Sequence, residues 1–103
     1  MPAELHELGA IDRLLHEPAR LMIAAALYPL ERADFVALLR ETRLTRGNLS
    51  SHLSRLEEAG YLAIEKSFRG RVPHTACRLT ASGREALRSY REALKSISEK
   101  LGG

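Results

Sequence analysis

A chain of 103 residues with 45% hydrophobic residues, a formal charge of +3 and a single cysteine fits one small domain with no internal disulfide framework. Its longest apolar run, Leu21 to Tyr28, is far too short to span a membrane, and Glu4 and Glu7 with no basic leader argue against a signal peptide, so a cytoplasmic location is expected. The charge is unevenly placed: residues 43–78 hold seven cations against three carboxylates, a net of +4, which leaves −1 on the rest. That concentration is the footprint of a phosphate-binding face.

In chain order, residues 4–16 carry Leu5, Leu8, Ile11, Leu14 and Leu15. The spacing is roughly helical, and Gly9 divides a loose arm (1–9) from a helix expected near Ala10. Pro18 suits a first helical turn, so a second helix is expected from about Glu17 to Leu27. Its middle is apolar nearly all round, which predicts a central helix buried on most sides. Tyr28-Pro29 ends it, and Glu31 to Ala33 is short enough for a three-residue strand. Asp34 can cap a helix over about Phe35 to Glu41, with Phe35, Leu38 and Leu39 inward.

Thr42-Arg43-Leu44 then leads tightly into the most informative stretch, about 45–59. Leu49, Leu53 and Leu56 fall at i, i+4 and i+7 and share one helix face. Thr45 is placed as N-cap, Leu44 and Leu49 as a staple across it, and Gly60 as the left-handed stop with Tyr61 folding back on Leu56. The opposite face holds Gly47, Asn48, Ser50, Ser51, Ser54 and Arg55, with Arg46 at its start. Small hydrogen-bonding side chains let a helix approach a surface such as the DNA major groove. A Ser-rich solvated helix has the same pattern. His52 lies at the edge of the buried face and is half structural.

Residues 61–68 alternate as a half-buried strand does, Arg69-Gly70-Arg71 is turn-like, and His74 to Leu79 alternates again. Val72-Pro73 suits a hairpin tip or an edge. A surface hairpin made soluble by arginine is one reading. Directly after two helices joined by three or four residues, the hairpin (about 62–79) also reads as a wing that lies along the DNA backbone or enters the minor groove. Thr80 caps a last helix, about Ala81 to Leu101, whose Leu87, Tyr90, Leu94, Ile97 and Leu101 follow a 3, 4, 3, 4 spacing. This is a coiled-coil seam over two heptads, able to pack on its own domain or on a second subunit. The N-terminal helix is a natural partner for it.

The fold class expected is mainly α with a small β-hairpin wing (α+β). The order of elements resembles a winged helix-turn-helix. Residues 15–27, 44–62 and 79–87 (Leu-Thr-Ala-Ser-Gly-Arg-Glu-Ala-Leu) resemble the buried first helix, recognition helix and terminal-helix start of small bacterial and archaeal regulators related to the MarR and ArsR groups. The resemblance covers about residues 10–100. It implies a winged-helix domain over 10–80, a dimerisation helix over 81–103, and a homodimer that sets two recognition helices in successive major grooves of a pseudo-palindromic operator. By position it assigns DNA contacts to Arg46, Asn48, Ser50, Ser51 and Arg55, with Arg69, Arg71 and Lys66 serving the wing. Asn48 and Ser51 are assigned to base edges, Arg46 and Arg55 to phosphates or guanine, and Ser50 to backbone. The dimer interface is assigned to Leu87, Tyr90, Leu94, Ile97 and Leu101.

No catalytic constellation, phosphate loop or paired acids appear, so an enzyme is not expected. ArsR-type sensors carry a Cys-x-Cys pair that is missing here. His74 and Cys77 would face opposite sides of a strand, so no metal and no cofactor are expected. Cys77 is read as a small strand residue; a redox role would require cations such as Arg78 or Arg71 to lower its pKa. The function expected is a sequence-specific double-stranded-DNA regulator, most simply a homodimeric repressor. The rival is a winged-helix protein-interaction module, against which the concentrated charge argues.

Overall fold

The computed structural model describes residues 9–102. Its elements run α1 (Pro18–Leu27), β1 (Ala33–Asp34), α2 (Phe35–Thr42), α3 (Arg46–Glu58), β2 (Leu62–Arg69), β3 (Val72–Leu79) and α4 (Ala81–Lys100). The three strands form one antiparallel sheet in the order β1-β3-β2. Among the described residues no helix is long and apolar enough to cross a membrane.

The segment before α1 departs from the sequence reading. Gly9 and Ala10 lie in a short 3₁₀ segment, and residues 11–16 hold one isolated turn rather than a continuous helix. Asp12 takes the amides of Leu14 and Leu15 on its own side chain, at 2.9 and 3.2 Å. This is an N-cap. With the His16 amide on the Asp12 carbonyl at 2.9 Å it closes a single turn, which stops at Glu17, extended (φ −150, ψ 127) ahead of Pro18. Residues 1–8 of the expected arm, with Leu5 and Leu8, lie outside the described residues. Leu15 still reaches the core and is fully buried.

Glu17 caps α1 by accepting from the amides of Ala19 and Arg20. Burial alone would raise its carboxyl. Those two amides, with His52 and Arg20 nearby, outweigh it and hold the group below the usual range. Ile23, Ala24 and Leu27 are buried, but Met22 and Ala25 are exposed. The expectation of burial on most sides is therefore wrong for one face of α1. An all-apolar sequence does not say how many neighbours a helix has. The first strand is also displaced: only Ala33 and Asp34 find partners, Cys77 and Ala76 on β3.

Asp34 caps α2 through the amide of Ala37, 2.7 Å away. Arg43 ends α2 in the left-handed region (φ 58) without a glycine. One core joins Leu15, Ile23, Leu27, Leu38, Leu49, Leu53, Leu56, Leu62, Cys77, Leu79 and Tyr90. The hairpin turns on two residues, Gly70 and Arg71, between the paired Arg69 and Val72. Gly70 has φ +65 and Arg71 does not share the sign, which is the pattern of a type II′ turn. Phe68 pairs with Pro73 at the next rung, where an antiparallel ladder makes no hydrogen bond, so the missing proline N–H is harmless. Only the base of the hairpin is half-buried. From Glu65 to Pro73 every residue is exposed, so the expected half-buried strand holds for three residues.

Candidate nucleic-acid interface

Helix α3 is positioned by chemistry at both ends. The hydroxyl of Thr45 accepts from the amide of Asn48 at 3.1 Å. At the other end Gly60 (φ +80) lets its own amide reach the carbonyl of Glu57, and that of Tyr61 reach Leu56, at 2.9 and 3.0 Å. This is a Schellman stop. Leu49, Leu53 and Leu56 are buried on the inner face. A buried leucine contributes about 1.5–3 kcal/mol and a cap about 1 kcal/mol. The leucines therefore hold the helix on the body, and the caps fix where it starts and stops.

The outer face is exposed as expected: Arg46, Gly47, Asn48, Ser50, Ser51, Ser54 and Arg55 all face solvent. No carboxylate occurs between Thr42 and Leu56. His52 turns inward to α1, where its Nδ1 accepts from the Arg20 guanidinium at 3.1 Å. Arg20 in turn donates to the carbonyl of Leu14 at 2.6 Å and lies 3.7 Å from Glu17. His52 is thus a strut between α3 and α1.

The wing stands beside this helix. Arg46, Ser50, Leu53 and Ser54 form one wall of an open cleft of about 360 Å³, and Ile64, Lys66 and Thr75 form the other. Arg46 also lies over the ring of Phe35, 5.7 Å from its centroid. Thr75 is not singled out by the sequence, and Ser54 is placed on the polar face of α3 with no contact assigned to it. The hairpin register supplies the missing signal, because Thr75 is the cross-strand partner of Lys66. Lys66, Arg69 and Arg71 are all exposed. Glu65, the single carboxylate of the hairpin, faces Arg78 at 3.3 Å and Arg32 at 3.6 Å. The field of the distal wing is thereby left unopposed. The fold thus brings Arg46, Ser50 and Lys66 to one cleft. Asn48, Ser51 and Arg55 lie on the open face of α3, and Arg69 and Arg71 at the wing tip.

The start of α4 explains the motif at residues 79–87. The Thr80 amide donates to the carbonyl of Tyr61 at 3.0 Å. Its hydroxyl donates to Gly60 at 2.6 Å and accepts from Gly83 at 3.0 Å. Arg84 donates to the carbonyls of Tyr28 and Leu30 at 2.7 and 2.9 Å. The end of α3 and the end of α1 are both fastened to α4. Of the expected seam, Leu94 and Leu101 are 38% and 82% exposed, while Leu87 and Ile97 are half-buried. Tyr90 is a correction. It is 5% exposed and belongs to the core of its own chain, with its hydroxyl 2.7 Å from His16. Heptad spacing gives a face but not the partner that covers it.

Cys77 is fully buried, and burial, helped by the charge of Glu57, pushes its thiol up to about 11. The cations named from sequence do not lower it. Native protein at neutral pH is expected to alkylate roughly 100-fold more slowly than unfolded protein, because the thiolate is the nucleophile. Mass spectrometry after timed iodoacetamide exposure checks this; equal rates would place the thiol in contact with solvent. Among the described residues no group of three or more His, Cys, Asp or Glu could hold a metal ion.

Comparison with known proteins agrees with this geometry. An uncharacterized protein of Methanocaldococcus jannaschii is 36% identical over 90 residues, which cover 86% of this chain and 97% of that protein. The solved transcriptional regulator homologue of Pyrococcus horikoshii OT3 is 32% identical, with a TM-score of 0.85 over 94% of this chain and 95% of its own. A PadR family transcriptional regulator from Eggerthella lenta shares the fold at 22% identity, with a TM-score of 0.69 over 97% of this chain and 95% of its own. The profile of the winged helix DNA-binding domain matches residues 19–98. The chain belongs to the winged helix DNA-binding domain family.

Proposed function

We propose that the protein is a sequence-specific double-stranded-DNA-binding transcriptional regulator that acts as a homodimer, most simply a repressor. The observation that carries the reading is an exposed face that holds no carboxylate from Arg46 to Arg55 of α3 and only the paired Glu65 on the hairpin, with Glu57 and Glu58 confined to the last turn of α3. This face runs along the outer side of α3, across the cleft to Lys66 and out to Arg69 and Arg71. Affinity then comes mainly from the arginines, and specificity from side chains of α3 that reach base edges. Arg46 and Arg55 hold phosphates or guanine, Ser50 contacts backbone, and Asn48 and Ser51 read bases. The similarity to the P. horikoshii regulator homologue supports a regulatory role. The exposed Leu94 and Leu101, with Leu87 and Ile97, support pairing of two α4 helices.

The test is fluorescence anisotropy of labelled duplex from upstream of the protein's own gene, titrated at several salt concentrations beside an unrelated duplex. Steep salt dependence with preference for the upstream duplex is expected. Asn48→Ala should change which operators are preferred, because only the backbone amide of Asn48 serves the Thr45 cap. Unchanged preference would remove Asn48 from base readout. No binding at low salt would favour a protein-interaction module instead. Sedimentation of the free protein reads the dimer directly, and a monomer mass at micromolar concentration would remove it.

A further inference from the structure

The wing tip carries a feature that phosphate binding does not use. Phe68 is 70% exposed and Val72 is 66% exposed, and they stand beside Arg69, Gly70 and Arg71. Phe68 is one of only two phenylalanines in the chain, and the other, Phe35, packs against the core. From Ile64, the last half-buried residue of β2, the strand runs five residues to Arg69, roughly 17 Å at the usual rise. A large aromatic side chain is thus held well away from the body, one rung behind the pair that closes the two-residue turn.

Side chains alternate across a strand, so Phe68 shares a face with Lys66 and Ile64. Lys66 and Ile64 line the cleft opposite α3. Phe68 therefore points to the side on which α3 offers its polar face. Its cross-strand neighbour is Pro73, so an apolar pair sits between cations. Nothing acidic opposes them, because Glu65 is engaged by Arg32 and Arg78. A polyanion with an apolar interior matches that charge pattern better than a protein surface does. Duplex DNA is such a partner. Proteins that enter the minor groove insert apolar wedges between base steps and kink the duplex, most readily at pyrimidine–purine steps.

Building on the proposed DNA-binding role, we infer that Phe68, backed by Pro73 and flanked by Arg69 and Arg71, is a wedge that enters the minor groove, partly unstacks one base step and bends the DNA. The wing then contributes sequence preference through deformability, separately from α3.

The test uses the full chain and duplexes that it selects from a random library. Affinity is read by anisotropy and bending by energy transfer between dyes at the two duplex ends. Wild-type protein should bring the ends closer, and the selected duplexes should hold a TA or CA step outside the major-groove site. Phe68→Ala should keep the salt slope, lose the bend, and bind about tenfold more weakly. It should also lose discrimination against duplexes whose flexible step is replaced by an A-tract. The residue is exposed at a tip, so the variant folds, which circular dichroism verifies. An unchanged bend in Phe68→Ala overturns the wedge. Wild-type binding without bending overturns the wedge and leaves the DNA-binding reading intact. No wild-type binding at low salt overturns both, and capture of a defined protein by the tip would then reassign it.

Discussion

Replacing Gly83 by alanine is expected to lower stability by about 2–4 kcal/mol, the upper range of overpacking penalties, despite alanine's better helix propensity. A Cβ at this position would stand 2.1 Å from the carbonyl oxygen of Tyr61 and 2.9 Å from its carbonyl carbon. Both are backbone atoms at the end of α3, so no side chain can rotate out of the way. For a domain of this size the melting temperature should fall by roughly 10–20 °C, read by circular dichroism. Gly47 is the internal control. It also lies in a helix, but nothing lies within 4 Å of its added Cβ. Gly47→Ala should hold or raise stability by up to about 1 kcal/mol. Equal melting temperatures for the Gly83 variant and the parent would mean that α4 does not approach α3 this closely in solution.

The second large effect concerns binding. Changing Arg69 and Arg71 together to alanine should weaken DNA binding about 10- to 100-fold at moderate salt, for all sequences alike. The slope of log K against log salt should become shallower by roughly 1.8 per subunit, since each neutralised phosphate contributes about 0.9. Both side chains are exposed and make no ion pair among the described residues, so stability should stay within about 0.5 kcal/mol of the parent. Full affinity with an unchanged slope would take the wing off the DNA. Because Phe68→Ala is expected to leave the slope alone, the two variants separate charge from wedge.

What could be read from sequence was what local chemistry fixes. Thr45, Asp34 and Thr80 each bond an amide three residues on, and a cap of that kind is visible in a string of letters. Gly60 and the leucines of α3 are equally local. The misreadings share a cause. Ile11, Leu14 and Leu15 have helical spacing, but Asp12 caps only one turn before Glu17 goes extended ahead of Pro18. Tyr90 fits a heptad, but its place in the core is decided by residues far away in the chain. The same distance hides Arg84, which reaches carbonyls 54 and 56 positions back. Among the candidate site residues, exposure was predictable from the helix face and the turn. The grouping of Arg46 and Ser50 with Lys66 required the hairpin register and the angle of the wing to α3.

Tyr61 ties more of the molecule together than its position suggests. Its amide closes α3, its carbonyl accepts from Thr80 at the base of α4, and its hydroxyl donates to Asp12, which shapes the turn before α1. The hydrogen bond to Asp12, then burial, pushes its phenol up to about 12, so the donor keeps its proton across the working pH range. Three segments therefore share one junction and open together. Amide protons at that junction should exchange only through the global transition, as in the most protected unit of a small domain. The wing tip and the last turn of α4 hold no core residue and exchange through local opening. The chain is thus partitioned by cooperativity: a fastened centre that cannot be loosened piecemeal, and two extremities free to adapt.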